Sequence, residues 1–106
     1  MMTNSDEYRY SRADFATVIS PNGEVDSVLL PLDDELRLRE LQSLVGGCIE
    51  AVSLPGNRYM MLNENGKDGP HMINHTATAI AHEAKAIMPI DYIAGIAVIL
   101  PQEVLQ

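Results

Sequence analysis

Glu50 sits in a β-prone run between Ile49 and Ala51. An inward carboxylate at that place accepts hydrogen bonds from a nucleobase or an arginine, while an outward one is an ordinary solvated strand residue. Further on, Asn63, Glu64 and Asn65 precede Gly66 in a polar stretch that follows a hairpin strand. They offer amide and carboxylate groups on a loop, the part of a fold that most often carries function, and the same residues also spell a simple Asx turn. Asn74 stands ahead of an alanine-rich run, with Thr78 one turn later. The free N–H groups of residues 75 to 77 would hold a phosphate or carboxylate there, with the Thr78 hydroxyl donating beside them. Plain N-capping explains Asn74 without any ligand, so an anion site needs a neighbouring cation, and Arg58 and Lys67 are the candidates. The expected ligand-binding set is Glu50, Arg58, Asn63, Glu64, Asn74 and Thr78.

Other chemistries find less support. His75 and His82 would align on one helix face with Glu83 beside them, but His71 precedes the helix and the spacing matches no established zinc motif. Solvated histidines and no metal site are expected. Cys48, the single cysteine, begins a strand and reads as a small buried hydrophobe rather than a nucleophile. Gly46 and Gly47 can bring N–H groups towards a phosphate, yet a double glycine after a helix is more simply its C-terminal stop. Tyr59, Met60 and Met61 would floor a nucleobase site or, more commonly, join the core. No Ser, His, Asp order and no phosphate loop occurs, so the sequence predicts no enzyme and no cofactor.

The elements that must position these groups follow from local chemistry. Residues 1–12 are polar and mixed in charge and read as a flexible tail, followed by one domain over 13–106. Phe15 to Ile19 and Val25 to Leu30 form a hairpin around Asn22-Gly23, which supplies the positive φ of a tight turn. Asp33 caps a helix over Asp34 to Val45, in which Leu38, Leu41, Leu44 and Val45 share a buried face and Arg37, Glu40 and Gln42 face solvent. Cys48 to Leu54 and Tyr59 to Leu62 make a second hairpin through Pro55-Gly56-Asn57. A second helix runs from His75 and ends before Pro89, and its alanines allow close approach to a sheet or to a second copy of the chain. Tyr92 to Leu100, almost wholly apolar, reads as a central strand buried on both faces, with Gly95 marking a bulge or a close contact. The fold class is α+β, a two-layer β-β-α-β-β-α-β domain with two helices on one face of a five-stranded mixed sheet.

Charge narrows the partners. The 106 residues hold 15 acidic against 7 basic side chains, a formal charge of −8, which is the wrong sign for gripping a phosphate backbone unaided. Direct nucleic-acid binding is therefore not expected. The start of the chain shows no basic residues followed by an apolar run, and one cysteine makes no internal disulfide, so no signal peptide, no membrane contact and a cytosolic location are expected.

Val45-Gly46-Gly47-Cys48-Ile49-Glu50, Asn63-Glu64-Asn65-Gly66, Asn74-His75-Thr76-Ala77 and Ile93-Ala94-Gly95 together resemble a known family, domain of unknown function 3846. Its pattern is VGG-x-IE, then NE-x-G, N-x-x-A and a late I-x-G, and the likeness covers about Pro31 to Leu100, with Cys48 where the family carries an aromatic residue. The resemblance implies a small accessory protein of a bacteriophage or other mobile element, acting in the host bacterial cytosol and in counter-defence. Two functions are then expected. The first is a non-enzymatic homo-oligomer that sequesters a small nucleotide-derived immune signal of the host; the second is an acidic inhibitor of a host nucleic-acid-binding enzyme, with Asp33-Asp34-Glu35 as its densest local charge.

Overall fold

A computed structural model describes residues 15–102, so the tail expected over residues 1–12 lies outside the described residues. β1 (Phe15–Ile19) and β2 (Val25–Leu29) form the first hairpin, paired from Phe15 with Leu29 to Ile19 with Val25. Its turn is closed by the Ser20 N–H donating to the Glu24 carbonyl at 2.9 Å, with Gly23 at φ 91°. α1 (Asp34–Val45) starts where the Asp33 carboxylate accepts from the N–H groups of Glu35 and Leu36, and stops at Gly46, whose φ of 84° turns its N–H onto the Gln42 carbonyl. β3 (Ile49–Leu54) and β4 (Arg58–Asn63) are the second hairpin; α2 (His75–Glu83) and β5 (Ala97–Pro101) complete the order.

The α+β class and the β-β-α-β-β-α-β order are as the sequence predicts, but two details differ. The sheet order is β2-β1-β5-β4-β3, and all four pairings are antiparallel rather than mixed. The crossover through α1 does join two strands of the same direction, β2 and β3. They are the two edges of the sheet, so no parallel neighbours arise.

The second difference is the layering. Ala16, Val18, Met61, Val98 and Leu100 pack with Leu41 and Val45 of α1, while Ile19, Met60, Leu62 and Ala97 pack with Ala77 and Ala81 of α2. Successive strand residues point to opposite faces, so these two sets lie on opposite sides of the sheet and the domain has three layers, one helix on each face. A strand apolar at every position, as β5 is, needs cover on both sides, and each helix supplies one. The alanine face of α2 is spent on its own sheet.

Several boundaries and faces also move. In α1 the buried positions are Arg37, Leu41 and Val45, whereas Leu38 is 49% exposed. Arg37 is held under the helix by donating to the Leu32 carbonyl at 3.0 Å, the Pro31 carbonyl at 3.3 Å and the Asp34 carboxylate at 2.5 Å. Arg37, which the sequence places towards solvent, is thus buried, because its long stem can lie beneath the helix while its guanidinium meets these oxygens. α2 ends at Glu83 instead of just before Pro89, because Lys85 turns to φ 56° and the Ala86 N–H returns to the Ala81 carbonyl. β5 starts only at Ala97: Gly95 has φ 82° and its N–H donates to the Met72 carbonyl, which bends the preceding residues off the sheet.

The α1 face has a direct test. Leu41→Ala, at a position 1% exposed, is expected to cost about 2–5 kcal/mol in urea denaturation, and Leu38→Ala less than about 1 kcal/mol. Equal losses would reverse the assignment.

Candidate functional site

On the α2 face, beside the outer strand β3, a cleft of about 190 Å³ opens between the β4–α2 loop and the residues that lead into β5. Val52, Leu62, Ile87 and Ile93 give it apolar walls, and Glu50, Glu64, Asp68 and Asp91 bring carboxylates to it, with Lys67 the one basic group and Tyr92 at its side. Period-two alternation places Glu50 and Val52 of β3 on this face, together with Leu62 of β4.

The loop is shaped from its own sequence. The Asn63 Oδ1 accepts the Asn65 N–H at 2.8 Å, an Asx turn, and its Nδ2 donates to the Val45 carbonyl at the end of α1 at 3.2 Å. The Glu64 N–H donates to the Cys48 carbonyl and the Gly66 N–H to that of Asn63. Gly66 is buried against the β5 lead-in, where an added Cβ would stand 2.8 Å from the Ala94 carbonyl oxygen, so only glycine lets the loop close down there. Lys67 then reaches Asp91 in an ion pair, and its Nζ lies 4.9 Å from the centre of the Tyr92 ring. The hydrogen bond from Lys67, followed by that from the Tyr92 N–H, holds the Asp91 carboxyl below its ordinary value. The same bond, acting against partial desolvation, raises Lys67. His82 Nε2 is 2.8 Å from the Asp91 carbonyl oxygen, which can only accept, so the ring donates there and ties α2 to the same segment.

Of the six expected ligand residues, the structure brings Glu50, Asn63 and Glu64 to one cleft. Asn63 spends its amide on the loop and on α1, so Glu50 and Glu64 are the groups left to meet a ligand. Arg58 stands at the other end of β4, five residues from Asn63 or about 17 Å along the strand, and donates to the Pro55 carbonyl. It does not belong to the site, and Lys67 is the cation that does.

Asn74 and Thr78 are committed to the fold. Asn74 is wholly buried, its Oδ1 accepting the Ala77 N–H at 3.0 Å and its Nδ2 donating to the carbonyls of Ile19 and Gly95 at 2.9 Å each. The Thr78 hydroxyl accepts the Ile93 N–H at 2.9 Å. The anion site expected at this helix start therefore has no free side chain to offer. Cys48 is exposed rather than buried, since β3 is an edge, and Met60 and Met61 are core residues on opposite faces. Among the described residues no group of three or more His, Cys, Asp or Glu side chains could hold a metal ion, and no helix is long and apolar enough to cross a membrane.

Asp91, Tyr92 and Ile87 were not among the expected site residues. Asp91 and Lys67 are separated by 24 positions, and nothing in the spacing of either announces the other. The family model of a domain of unknown function, DUF3846, matches residues 16–103. The chain belongs to the DUF3846 family. The match takes in the first hairpin, which the motifs starting near Pro31 did not reach. Comparison with curated proteins and with solved structures gave no match. The motifs that carried the resemblance fall partly on positioning residues, in that Gly46 stops α1, Gly47 lies against Asn63, Asn74 and Ala77 are buried, and Gly95 makes the turn into β5, while Glu50 and Glu64 line the cleft.

Asn74 tests this division between fold and site. Asn74→Asp keeps the capping acceptor and removes both buried donors, and it is expected to destabilise by about 2–4 kcal/mol, as is Asn74→Ala, in urea denaturation. A stable Asn74→Asp variant would free this residue for another role.

The ion pair predicts a pH window. Asp91 is depressed, so its contribution is present above its unfolded value and is lost as pH falls through its folded one; Lys67 is raised, so its contribution is lost only as pH rises through its folded value. The pair thus holds between acid and strongly alkaline pH. In a carboxyl-detected NMR titration Lys67→Met should move Asp91 back up towards the ordinary range, and an unmoved Asp91 would show that the pair does not form in solution.

Proposed function

We propose that the chain acts by binding, without chemistry of its own, and that its cleft receives the cationic head of a side chain from a protein partner. The charge of the cleft carries this reading. Asp91 neutralises Lys67, and among the described residues no ion pair holds Glu50, Glu64 or Asp68, so the lining is net negative over apolar walls. Arginine suits that combination: its stem packs on Val52, Leu62 and Ile87 while its guanidinium forks onto carboxylates.

A phosphate-bearing ligand would meet like charge: of the residues expected to hold phosphate, Arg58, Asn74 and Thr78 lie elsewhere or are fully used, and Lys67, the alternative to Arg58, lies in the cleft but is paired with Asp91. Of the two functions expected from the sequence, inhibition of a basic, nucleic-acid-binding host enzyme is thus favoured over sequestration of a nucleotide signal. In a phage or mobile-element setting this would be counter-defence of the anti-restriction or anti-CRISPR kind. The acidic run Asp33-Asp34-Glu35 contributes little to it, because Asp33 caps α1 and Asp34 and Glu35 pair with Arg37 and Arg39.

NMR titration with tri-arginine peptide should shift resonances of Glu50, Glu64 and Tyr92, and binding should weaken as salt rises. Glu50→Gln with Glu64→Gln should reduce the affinity about tenfold. Shifts at the cleft with ATP or a cyclic dinucleotide, and none with tri-arginine, would overturn the reading.

A further inference from the structure

β3 is an outer strand of the sheet, hydrogen-bonded on one side to β4 only. The Glu64 N–H donates to the Cys48 carbonyl, so in the antiparallel ladder the even residues Glu50, Val52 and Leu54 turn their backbone groups inwards to β4. Ile49, Ala51 and Ser53 then present their N–H and carbonyl groups outwards, and among the described residues no backbone or side-chain group bonds to them from that side. Outer strands are usually blunted by lysine, proline or a bulge. Ile49–Leu54 contains none of these; the side chains of Ala51 and Ser53 are small, and the one charge, Glu50, points into the cleft.

A shallow, open trough of about 590 Å³ runs beside this edge, between Ala51 and Ser53 and the segment Lys85 to Met88, and it shares Glu50, Val52, Ile87 and Asp91 with the cleft. A chain laid along β3 would stand about 4.8 Å from it, with alternate side chains directed to the α2 face. The side chain opposite the middle of β3 would then stand beside Glu50, at the mouth of the acidic cleft. The other outer strand, β2, lies at the opposite edge of the sheet from the acidic cleft.

Building on the cationic-ligand reading of the cleft, we propose that the partner presents an extended basic segment, which adds to β3 as a sixth strand and places one arginine in the cleft. The ladder supplies affinity independent of sequence, and the cleft supplies the choice of a cation at one position. The overall charge of −8 favours approach of such a segment.

The probe is a seven-residue Thr/Val peptide with one central arginine, added to the full chain. Its binding should slow amide hydrogen exchange at Ile49, Ala51 and Ser53 at least tenfold. Methylating the peptide nitrogens in two alternate sets separates edge from cleft, since one set faces β3 and the other faces away. One set should weaken binding at least tenfold and the other leave it nearly unchanged, and Ala51→Pro, which removes only an outward N–H, should match the damaging set. If both methylated peptides bind like the parent while Glu50→Gln weakens all three, the strand addition is overturned and the cleft reading stands. If neither the peptide nor acetyl-arginine amide binds, both fall. Protection of Ala51 and Ser53 that rises with protein concentration and without peptide would assign the edge to a second copy of the chain and overturn the proposal.

Discussion

Among the described residues β5 is the only strand that touches both hairpins. It pairs with β1 on one side and β4 on the other, so without it the first and second hairpins share no ladder at all. Ala97, Val98 and Leu100 are all fully buried, which a strand achieves only with cover above and below. From that constraint follow the three layers, the split of the core into two clusters, and the placing of α1 and α2 on opposite faces. The final crossover must also bring the chain back into a slot between strands laid down earlier. Asn74 fixes that return, with one amide group bonded to the end of β1, the lead-in of β5 and the first turn of α2. A buried polar side chain is stable only when its bonds are made, and here the side-chain donors and the capping acceptor are all used.

The same fixing creates the cleft. Once Gly95 turns the chain into β5 and α2 ends at Glu83, residues 87–94 must pass over the sheet near β3 and β4. Gly66 lets the β4–α2 loop pack against Ala94, and Lys67 closes onto Asp91. What is left between them is a small space with Glu50 and Glu64 on its rim. An exposed ion pair such as Lys67 with Asp91 adds little stability in itself. Its consequence is electrostatic: it removes the one positive charge from the lining and leaves the remaining carboxylates to set the sign of the site.

What could be read from the sequence was what short-range chemistry decides. The hairpin at Asn22-Gly23, the caps at Asp33 and Asn74, the stop at Gly46 and the burial of the last strand all depend on residues within a few positions of one another. The buried stripe of α1 was legible at Leu41, Leu44 and Val45 but not at Leu38 and Arg37, because the leucines at 36, 38, 41 and 44 allow more than one face and a long arginine stem can lie beneath a helix. The end of α2 was hidden for a related reason. Alanines at 84 and 86 favour a helix, but packing of Ala86 and Ile87 against the core turns the chain at Lys85 instead.

The site was half legible for a physical reason as well. Glu50 and Glu64 were found because a strand carboxylate and a loop carboxylate both lie in short motifs, whereas Lys67 with Asp91 is a pairing between loops that only the tertiary path brings together. The expected phosphate groups failed at the point where a helix cap and an anion site make the same demands. Asn74 satisfies the α2 terminus from within the chain and, being wholly buried, has nothing left to recognise an anion with. Sequence could place the amide at the helix start; which partner it takes depends on whether β1 and the β5 lead-in arrive with free carbonyls, and here both do. The polarity of the site is thus decided by the fold's own hydrogen-bond requirements: donors are drawn inwards to close the core, and acceptors are left outside to meet whatever binds.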